Sequence, residues 1–497
     1  MYYNSTRDKS CRITAAQAIA RGISAEGGLF VPEELPKFDV EKLNALLGKS
    51  YAEKAEKILA EFLTDFTSEE LSRCVNRAYT TEKFDSENIA EISKVGENNY
   101  LLELWHGPTC AFKDMALQLL PHLMTVSAAK TEPGQEIVVL VATSGDTGKA
   151  ALEGFKDVPG TRMLVFYPEN GVSNMQKRQM TTQEGKNLAV CAIQGNFDDA
   201  QTGVKQIFTN PAIQERLAAN HQKFSSANSI NWGRLVPQIV YYIAAYTSLV
   251  DQGEIEMGEV VNVAVPTGNF GNILAAYYAK KMGLPIGMLI CASNRNKVLT
   301  DFIQTGTYDR NRDFYTTTSP SMDILISSNL ERLLYDLCGQ DDLMIREWFG
   351  ELSRNGKYTV SADVKAKLQA EFAGGFCDDE QTAETIGNTF REYGYLCDTH
   401  TAVAVKVCED YRRKTGDTRK TIIASTASPY KFTADVLKAV TDRPIPEDDF
   451  EQVALLAEIS GMTPPESLLA LRDKQIRFTG SVSKENMVSS VLELLNQ

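Results

Sequence analysis

Residues 137–150 read IVVLVATSGDTGKA, and this stretch decides the fold class of the chain. A continuous apolar run suits a strand that is buried on both faces, and the small residues after it suit a loop that leads into a helix. The same order recurs at residues 261–272, VNVAVPTGNFGN, before a helical pattern that extends to Met282. Strands that alternate with helices predict parallel βαβ units, so the expected fold class is α/β.

Further apolar runs extend this pattern, at residues 162–166, 286–291 and 421–424. Ligands of parallel sheets bind beyond the carboxyl ends of the strands, which is where the loops rich in Gly, Ser and Thr fall. We therefore expect the functional site to be built from these loops.

The flanks of the α/β pattern differ from its centre. Residues 1–95 are predicted to form a mainly helical N-terminal domain, with helices over 15–25 and 40–66 separated by a turn at Gly27 and Gly28. Residues 96–445 form the α/β region, and residues 446–497 are expected to be a helical C-terminal segment that packs on the core.

The overall composition limits the classes of function. The 497 residues carry a net charge of −14, with a pI near 5.0, which argues against a nucleic-acid-binding protein. The nine cysteines form no C-x-x-C pair, so neither a zinc site nor a redox motif is expected, and no metal is predicted. The apolar run 137–142 is too short to cross a bilayer, and the first residues lack a signal-peptide core, so a soluble, cytoplasmic protein without a membrane partner is expected.

Two Gly-rich loops are candidates for binding phosphate. Residues 143–150 contain Gly148-Lys149 but have Thr143 in place of the first Gly and Ala150 in place of the final Ser or Thr of a nucleotide-binding P-loop, so no Mg-nucleotide site is indicated. Residues 268–272, GNFGN, offer successive backbone N–H groups at the start of a helix, which suits a phosphate dianion. The same residues also suit a plain turn that caps a helix.

Lys113 is the candidate reactive amine. It lies in HGPTCAFKDM, residues 106–115, beside Phe112 and near a predicted helix start, where an amine loses its proton more easily. A surface lysine paired with Asp114 is the alternative. His106 and His400 lack metal-ligand spacing and are interpreted as structural histidines.

Taken together, the chain resembles the threonine synthase family, among the fold type II enzymes that use pyridoxal 5'-phosphate (PLP). The resemblance covers residues 1 to about 435. It rests on ordered segments: YNSTR at 3–7, GGLFVP at 27–32, HGPT at 106–109 with FKD at 112–114, ATSGDTG at 142–148, VS at 172–173 with QKRQM at 176–180, NSIN at 228–231 with Arg234, PTGNFGN at 266–272, and ASTASP at 424–429 with KF at 431–432.

The resemblance implies a fold similar to the tryptophan synthase β subunit, with two α/β lobes around the cofactor and an additional, mainly helical N-terminal domain. It implies that Lys113 carries PLP as a Schiff base and that Thr426 faces the pyridine nitrogen. The residues that would hold the cofactor phosphate are Gly268, Asn269, Phe270, Gly271 and Asn272.

The substrate contacts rest on the same resemblance. The loop residues Ser144, Asp146 and Thr147 would meet the amino-acid part of the substrate. Arg234 is the first candidate for the substrate phosphate, followed by Asn228 and Lys149, because a dianion needs cationic or multiple N–H partners.

The implied activity converts O-phospho-L-homoserine and water into L-threonine and phosphate by γ-elimination and β-replacement, the last step of threonine biosynthesis. The same residues would also serve a PLP-dependent phospho-lyase that makes 2-oxobutyrate, or a catalytically silent paralogue. A monomer or a homodimer is expected. The chain departs from the family at Ser428, where His is common, and at Cys110, where an apolar residue is common.

Overall fold

The computed structural model describes residues 1–143, 145–170 and 172–494. The strands, in chain order, are β1 (Tyr3–Ser5), β2 (Asp8–Ile13), β3 (Phe30–Pro32), β4 (Glu91–Val95), β5 (Asn99–Glu103), β6 (Glu136–Ala142), β7 (Thr161–Pro168), β8 (Leu188–Gln194), β9 (Gln222–Ser225), β10 (Val261–Pro266), β11 (Ile286–Ser293), β12 (Thr307–Asp309), β13 (Lys357–Thr359), β14 (Phe372–Phe376), β15 (Thr421–Ser425) and β16 (Ser481–Ser483).

The helices are α1 (Ala15–Arg21), α2 (Val40–Asn44), α3 (Tyr51–Phe62), α4 (Ser68–Ala78), α5 (Asp114–Leu117), α6 (Leu120–Thr131), α7 (Asp146–Phe155), α8 (Asn174–Thr181), α9 (Phe197–Thr209), α10 (Pro211–Ala219), α11 (Trp232–Asp251), α12 (Gly271–Met282), α13 (Val298–Thr305), α14 (Leu330–Leu337), α15 (Asp342–Asn355), α16 (Ala362–Glu371), α17 (Asp379–Tyr393), α18 (Thr399–Thr415), α19 (Thr433–Val440), α20 (Asp449–Ser460), α21 (Glu466–Leu469) and α22 (Met487–Leu494).

Two sheets form the α/β region. The larger has the order β14-β11-β10-β15-β5-β4, and its neighbours are parallel except for β4, which pairs antiparallel with β5. The second has the order β16-β8-β7-β6-β9 and is parallel throughout. The predicted α/β class with two lobes is confirmed. The loops after β6 and β10 therefore belong to different lobes.

The burial of the strands explains why their sequences are continuous apolar runs. β10 is buried along its whole length and β6 is buried in all but its end residues, as continuous apolar runs require. Helix α11 is also buried on all sides, because every residue from Trp232 to Thr247 is buried. It packs against α1, α3, α5 and α12, so it joins the N-terminal elements to the α/β core.

The N-terminal region contains more than helices. Strands β1, β2 and β3 form an antiparallel sheet in the order β2-β1-β3, which the sequence pattern did not predict. The single helix predicted over 40–66 is two helices, α2 and α3. Gly48 between them has a left-handed φ of 65°, and Ser50 starts α3 with a capping box to Glu53.

The C-terminal segment also contains a strand that was not predicted. β16 has three residues and pairs in parallel with β8, so it forms one edge of the second sheet. A strand of this length has too few residues to show periodicity. In the described part of the chain, no helix has both the length and the apolar character needed to cross a bilayer.

The contact between α5 and α7 gives a stability prediction. A Cβ placed on Gly154 of α7 would lie 1.9 Å from the carbonyl oxygen of Leu117 in α5. We expect Gly154→Ala to lower the free energy of unfolding by about 1–3 kcal/mol, because the backbones must move apart. The midpoints of thermal and guanidinium unfolding measure this change.

Gly350→Ala is the matched control. It also lies inside a helix, but its new Cβ would meet only the flexible end of Arg354, at 3.1 Å. Alanine should stabilise this position by about 0.5–1 kcal/mol. Equal unfolding midpoints for the two variants would contradict a close approach of α5 and α7.

Candidate active site

Lys113 lies immediately before α5, in the turn that follows β5. The turn is fixed to the neighbouring strand end, because the N–H of Phe112 donates to the carbonyl of Thr426 at 2.8 Å. The Lys113 side chain is 12% exposed, and its Nζ is 3.6 Å from Asp146 Oδ2. Burial lowers the pKa of Lys113, and Asp146 opposes this only in part. The amine therefore loses its proton more readily than an exposed lysine.

Asp114 does not pair with Lys113. Its carboxylate accepts hydrogen bonds from the N–H of Thr109 at 2.8 Å and from the Thr109 hydroxyl at 2.7 Å. Burial raises the pKa of Asp114 to about 6. A Cβ at Gly107 would lie 2.5 Å from the Asp114 side chain, so glycine is required there for the turn to close. The alternative of a surface Lys113–Asp114 pair does not occur.

Asp146, the first residue of α7, joins three parts of the site. Its Oδ1 lies 2.7 Å from Nζ of Lys431, whose side chain is fully buried, and accepts a hydrogen bond from Gln176 Nε2 at 3.0 Å. Burial raises the pKa of Asp146, but the charges of Lys431 and Lys113 outweigh burial and hold this pKa well below its usual value. Asp146 is therefore an anion that balances two lysines.

The loop after β10 has the geometry of an anion-binding site. Phe270 has a left-handed φ of 65°, and α12 begins at the next residue. Among the described residues, no acceptor binds the backbone N–H groups of Gly268 to Asn272. A Cβ at Gly268 would lie 2.6 Å from the carbonyl oxygen of Ser321, so only glycine fits. These free donors at a helix N-terminus suit a phosphate.

The Asn272 side chain points away from this loop. Its Oδ1 accepts a hydrogen bond from Tyr241 at 2.8 Å and another from Tyr242, while its Nδ2 is buried without a partner in the described part of the chain. Any contact of Asn272 with a phosphate would therefore use its backbone N–H.

Thr426 lies one residue beyond β15. Its N–H donates to the Thr401 hydroxyl at 3.3 Å, and its own hydroxyl makes no hydrogen bond to the described residues. The side chain is thus available to a ligand above the strand end.

Arg234 is a buried cation near Lys113. Its Nη1 donates to the carbonyl of Ala227 at 2.5 Å, its Nε is buried without a partner, and none of the described carboxylates pairs with it. Burial lowers the pKa of Arg234 to about 10, and its charge contributes to the lowered pKa of Lys113. An unpaired buried guanidinium suits an anionic ligand.

The remaining predicted substrate residues are placed differently. The Lys149 ammonium is bound by Glu153 at 3.0 Å and by Gln183, so it is already satisfied. Thr147 is half-buried in the first turn of α7, and Asn228 is half-buried before α11. Ser144 lies outside the described residues.

The two departures from the family pattern have structural roles. The Ser428 hydroxyl accepts from the N–H of Tyr430 at 3.4 Å and starts the short turn Pro429–Lys431 that presents Lys431. Cys110 is buried, and burial raises the pKa of its thiol to about 12, so it is protonated at neutral pH.

Several residues that build the site were not predicted. The Thr143 hydroxyl accepts from the N–H groups of Gly145 and Gly148, at 3.0 and 2.8 Å, and so shapes the start of α7. Lys431 and Gln176 lie in segments that match the family, but no role was predicted for either. The Ser-x-x-Gln spacing of a capping box at Ser173 signalled the start of α8 but not the contact of Gln176 with Asp146.

These features fit PLP. A buried amine of lowered pKa can carry an aldehyde, the loop 268–272 can hold its phosphate, and the Thr426 hydroxyl is free for its ring. Three family models match: "Threonine synthase N terminus" at residues 2–79, "Pyridoxal-phosphate dependent enzyme" at 78–370 and "Threonine synthase, C-terminal" at 401–481.

Individual proteins agree with the family models. The threonine synthase of Pseudomonas aeruginosa is 38% identical over 442 residues, which cover 88% of this chain and 90% of that protein. The chain belongs to the threonine synthase family. It is thus a PLP-dependent enzyme of fold type II.

The chain is also similar to a threonine synthase of known crystal structure and to a longer human protein. The PLP-bound threonine synthase from Brucella melitensis is 36% identical, with a TM-score of 0.86, and the match covers 100% of this chain and 98% of that one. Human "Threonine synthase-like 1" is 40% identical over 97% of this chain, which spans 66% of the human protein's length.

His106, beside the lysine turn, gives a pH prediction. Its Nδ1 lies 2.6 Å from Asp85 and its Nε2 lies 2.9 Å from Glu103. Burial lowers the pKa of His106, but the two carboxylates outweigh it and raise the pKa to about 9. The contribution of the His106 cation and its two carboxylates to the free energy of unfolding is therefore complete below about pH 6.5, the pKa of histidine in the unfolded chain. It is lost as pH rises through about 9. We expect His106→Gln to destabilise the protein more at pH 6 than at pH 10 in urea unfolding.

His122→Gln is the control with the opposite sign. Burial lowers the pKa of His122 to about 4, so the native protein loses stability as pH falls below about 6.5. Its replacement should therefore be more favourable at pH 5 than at pH 8. If His106→Gln shows no pH dependence, then His106 is not held as a cation.

Proposed function

We propose that this chain is a threonine synthase that converts O-phospho-L-homoserine and water into L-threonine and phosphate. The observation that supports the proposal is that the structure has a buried amine, Lys113, and two groups that suit anions, the free N–H groups of the loop 268–272 and the unpaired guanidinium of Arg234. The loop 268–272 suits the cofactor phosphate, and the unpaired Arg234 suits a second phosphate, on the substrate. A PLP enzyme whose substrate lacks a phosphate needs only the first.

Lys113 is proposed as the group that moves protons. Bound PLP supplies a conjugated ring that takes up the electrons left when the substrate C–H bonds break. The Lys113 amine would take protons from the α and β carbons and return them, which its burial favours because a less basic amine is neutral more often near pH 7. Asp146 would keep the amine in place while remaining ionised itself.

The substrate's amino-acid end is assigned to the start of α7. Ser144, Asp146 and Thr147 are proposed to meet it through backbone N–H and hydroxyl groups, with Asn228 beside them. Arg234 would hold the phosphate as it leaves. Lys149 is the weakest of the predicted substrate contacts, because Glu153 and Gln183 already bind its ammonium group.

We also propose the division into residues 1–95, 96–445 and 446–497, with the site between the two lobes of the middle part. β4 at the end of the first part and β16 in the third part each add an edge strand to a sheet of the middle part. The protein is proposed to act in the cytoplasm as a monomer or homodimer, on a small molecule, without nucleic acid or membrane as partner.

A second candidate, a PLP-dependent phospho-lyase that makes 2-oxobutyrate, uses the same residues. The name of the human relative, "Threonine synthase-like 1", does not state which reaction that protein catalyses, so this similarity does not separate the two candidates. The two differ only in the fate of the substrate carbon after phosphate leaves, so product analysis separates them.

Lys113→Ala tests the central role. We expect loss of the visible band of lysine-bound PLP and a fall of about 10³-fold or more in phosphate release, because the amine proposed to carry PLP and to move protons is removed. In the parent protein, threonine and phosphate should form in equal amounts. Keto acid in place of threonine would assign the phospho-lyase instead, and absence of both band and products would assign a silent paralogue.

Arg234→Gln tests the substrate phosphate site. Hydrogen bonds to charged groups contribute about 1.5–3 kcal/mol, so we expect KM for O-phospho-L-homoserine to rise about 10- to 100-fold. Lys149→Met is the matched control, with KM expected to change less than about threefold. Loss of PLP from Arg234→Gln, with an unchanged KM once PLP is saturating, would move Arg234 to the cofactor phosphate.

A further inference from the structure

Ser321 contacts the lysine and the phosphate loop at the same time. Its hydroxyl accepts a hydrogen bond from Lys113 Nζ at 3.4 Å. Its carbonyl oxygen lies against Gly268, where an added Cβ would come within 2.6 Å. One residue of the short turn Pro320–Met322 thus joins the reactive amine to the loop that suits the cofactor phosphate.

The main-chain N–H of Ser321 is bound by a histidine. It donates to Nε2 of His400 at 3.1 Å, and Nδ1 of His400 lies 2.8 Å from Asp398 Oδ2. An Nε2 that accepts a hydrogen bond carries no proton, so the imidazole is the neutral tautomer with its proton on Nδ1, directed at Asp398. Both side chains are buried, with 4% and 0% exposure.

This Ser, His and Asp set differs from a nucleophilic triad. In a triad the imidazole accepts the proton of the serine hydroxyl, whereas here it accepts the backbone N–H of Ser321. The hydroxyl is directed to Lys113 instead. The arrangement is therefore suited to holding the serine in place and not to activating it.

The rest of the loop is fixed independently of Ser321. The Asp323 carboxylate accepts hydrogen bonds from Asn294 at 2.8 Å, from Asn296 at 2.9 Å and from the N–H of Thr317 at 3.0 Å. Ser319 is anchored to Asn294 at 3.0 Å. The contact with His400 thus adds a hydrogen bond at Ser321 that the Asp323 network does not supply.

We propose that Ser321 is a positioning residue for the Lys113 amine and that His400, oriented by Asp398, fixes Ser321 for this task. The inference rests on the proposed role of Lys113 as the group that moves protons. When the lysine is free of the cofactor, the Ser321 hydroxyl accepts one N–H of the amine and directs its lone pair toward the substrate carbons. Small errors in such an orientation cost large factors in rate.

Ser321→Ala, studied as the holoenzyme, is the first test. We expect kcat for phosphate release to fall about 10- to 100-fold, with KM within about threefold of the parent. PLP retention in equilibrium dialysis and the visible band should match the parent, because the hydroxyl serves the free amine. Phosphate release measures turnover whether threonine or keto acid forms, so this test stays separate from the test of the proposed function.

Ser319→Ala is the matched control, since it removes a buried hydroxyl from the same loop without contact to Lys113. Its kcat should stay within about threefold of the parent. An equal fall in kcat for Ser319→Ala, or a fall in PLP retention that accounts for the loss in Ser321→Ala, would overturn the proposal in favour of a purely structural loop.

His400 is tested by a pair of substitutions. His400→Leu removes the acceptor for the Ser321 N–H and should reproduce the kcat loss of Ser321→Ala, whereas His400→Gln offers a carbonyl acceptor and should recover at least part of it. The losses in a Ser321→Ala/His400→Leu double variant should not add, because both act through one hydroxyl. Full activity of His400→Leu, or additive losses, would remove His400 from the proposal.

Discussion

The site depends on one buried anion that serves two buried lysines. An isolated ammonium group is costly to remove from water, and this site removes two, so both need the carboxylate of Asp146. Lys431 bonds to it directly, and Lys113 stays near it at a longer distance. Because these residues come from α7, from the turn after β15 and from the turn before α5, the ion pairs connect elements of both lobes. The weaker hold on Lys113 leaves that amine free to react.

Much of the fold was predictable because its long buried strands are continuous apolar runs in the sequence. The runs at 137–142 and 261–266 are apolar because both faces of those strands are covered, and this reads directly from the sequence. The three-residue strands β1, β3 and β16 have no such signature, since their pairing is set by distant partners. The break between α2 and α3 had a signal at Gly48 and Ser50, but the helical spacing on both sides concealed it.

The residues of the candidate site also fall into two groups, those that the sequence indicated and those that it did not. Lys113, the loop 268–272 and Thr426 lie in distinctive segments, so resemblance could point to them. Ser321, His400 and Gln176 take their importance from partners far away in the chain, and no spacing in the sequence indicates that His400 binds the N–H of Ser321. Lys149 shows what a motif leaves out: it lies in a segment that resembles a phosphate-binding loop, but Glu153, one helical turn away, binds its ammonium group.

The place of β16 has a consequence for how the chain is made. The other strands of its sheet are complete by Ser225, whereas the edge of β8 that faces away from β7 pairs, in the described part of the chain, with residues 481–483. At about 5–20 residues per second, a ribosome needs on the order of 10 to 50 s to reach them. For that interval the nascent chain carries an open, apolar strand edge, the kind of surface that pairs with other chains. This edge closes when residues 481–483 pair with β8.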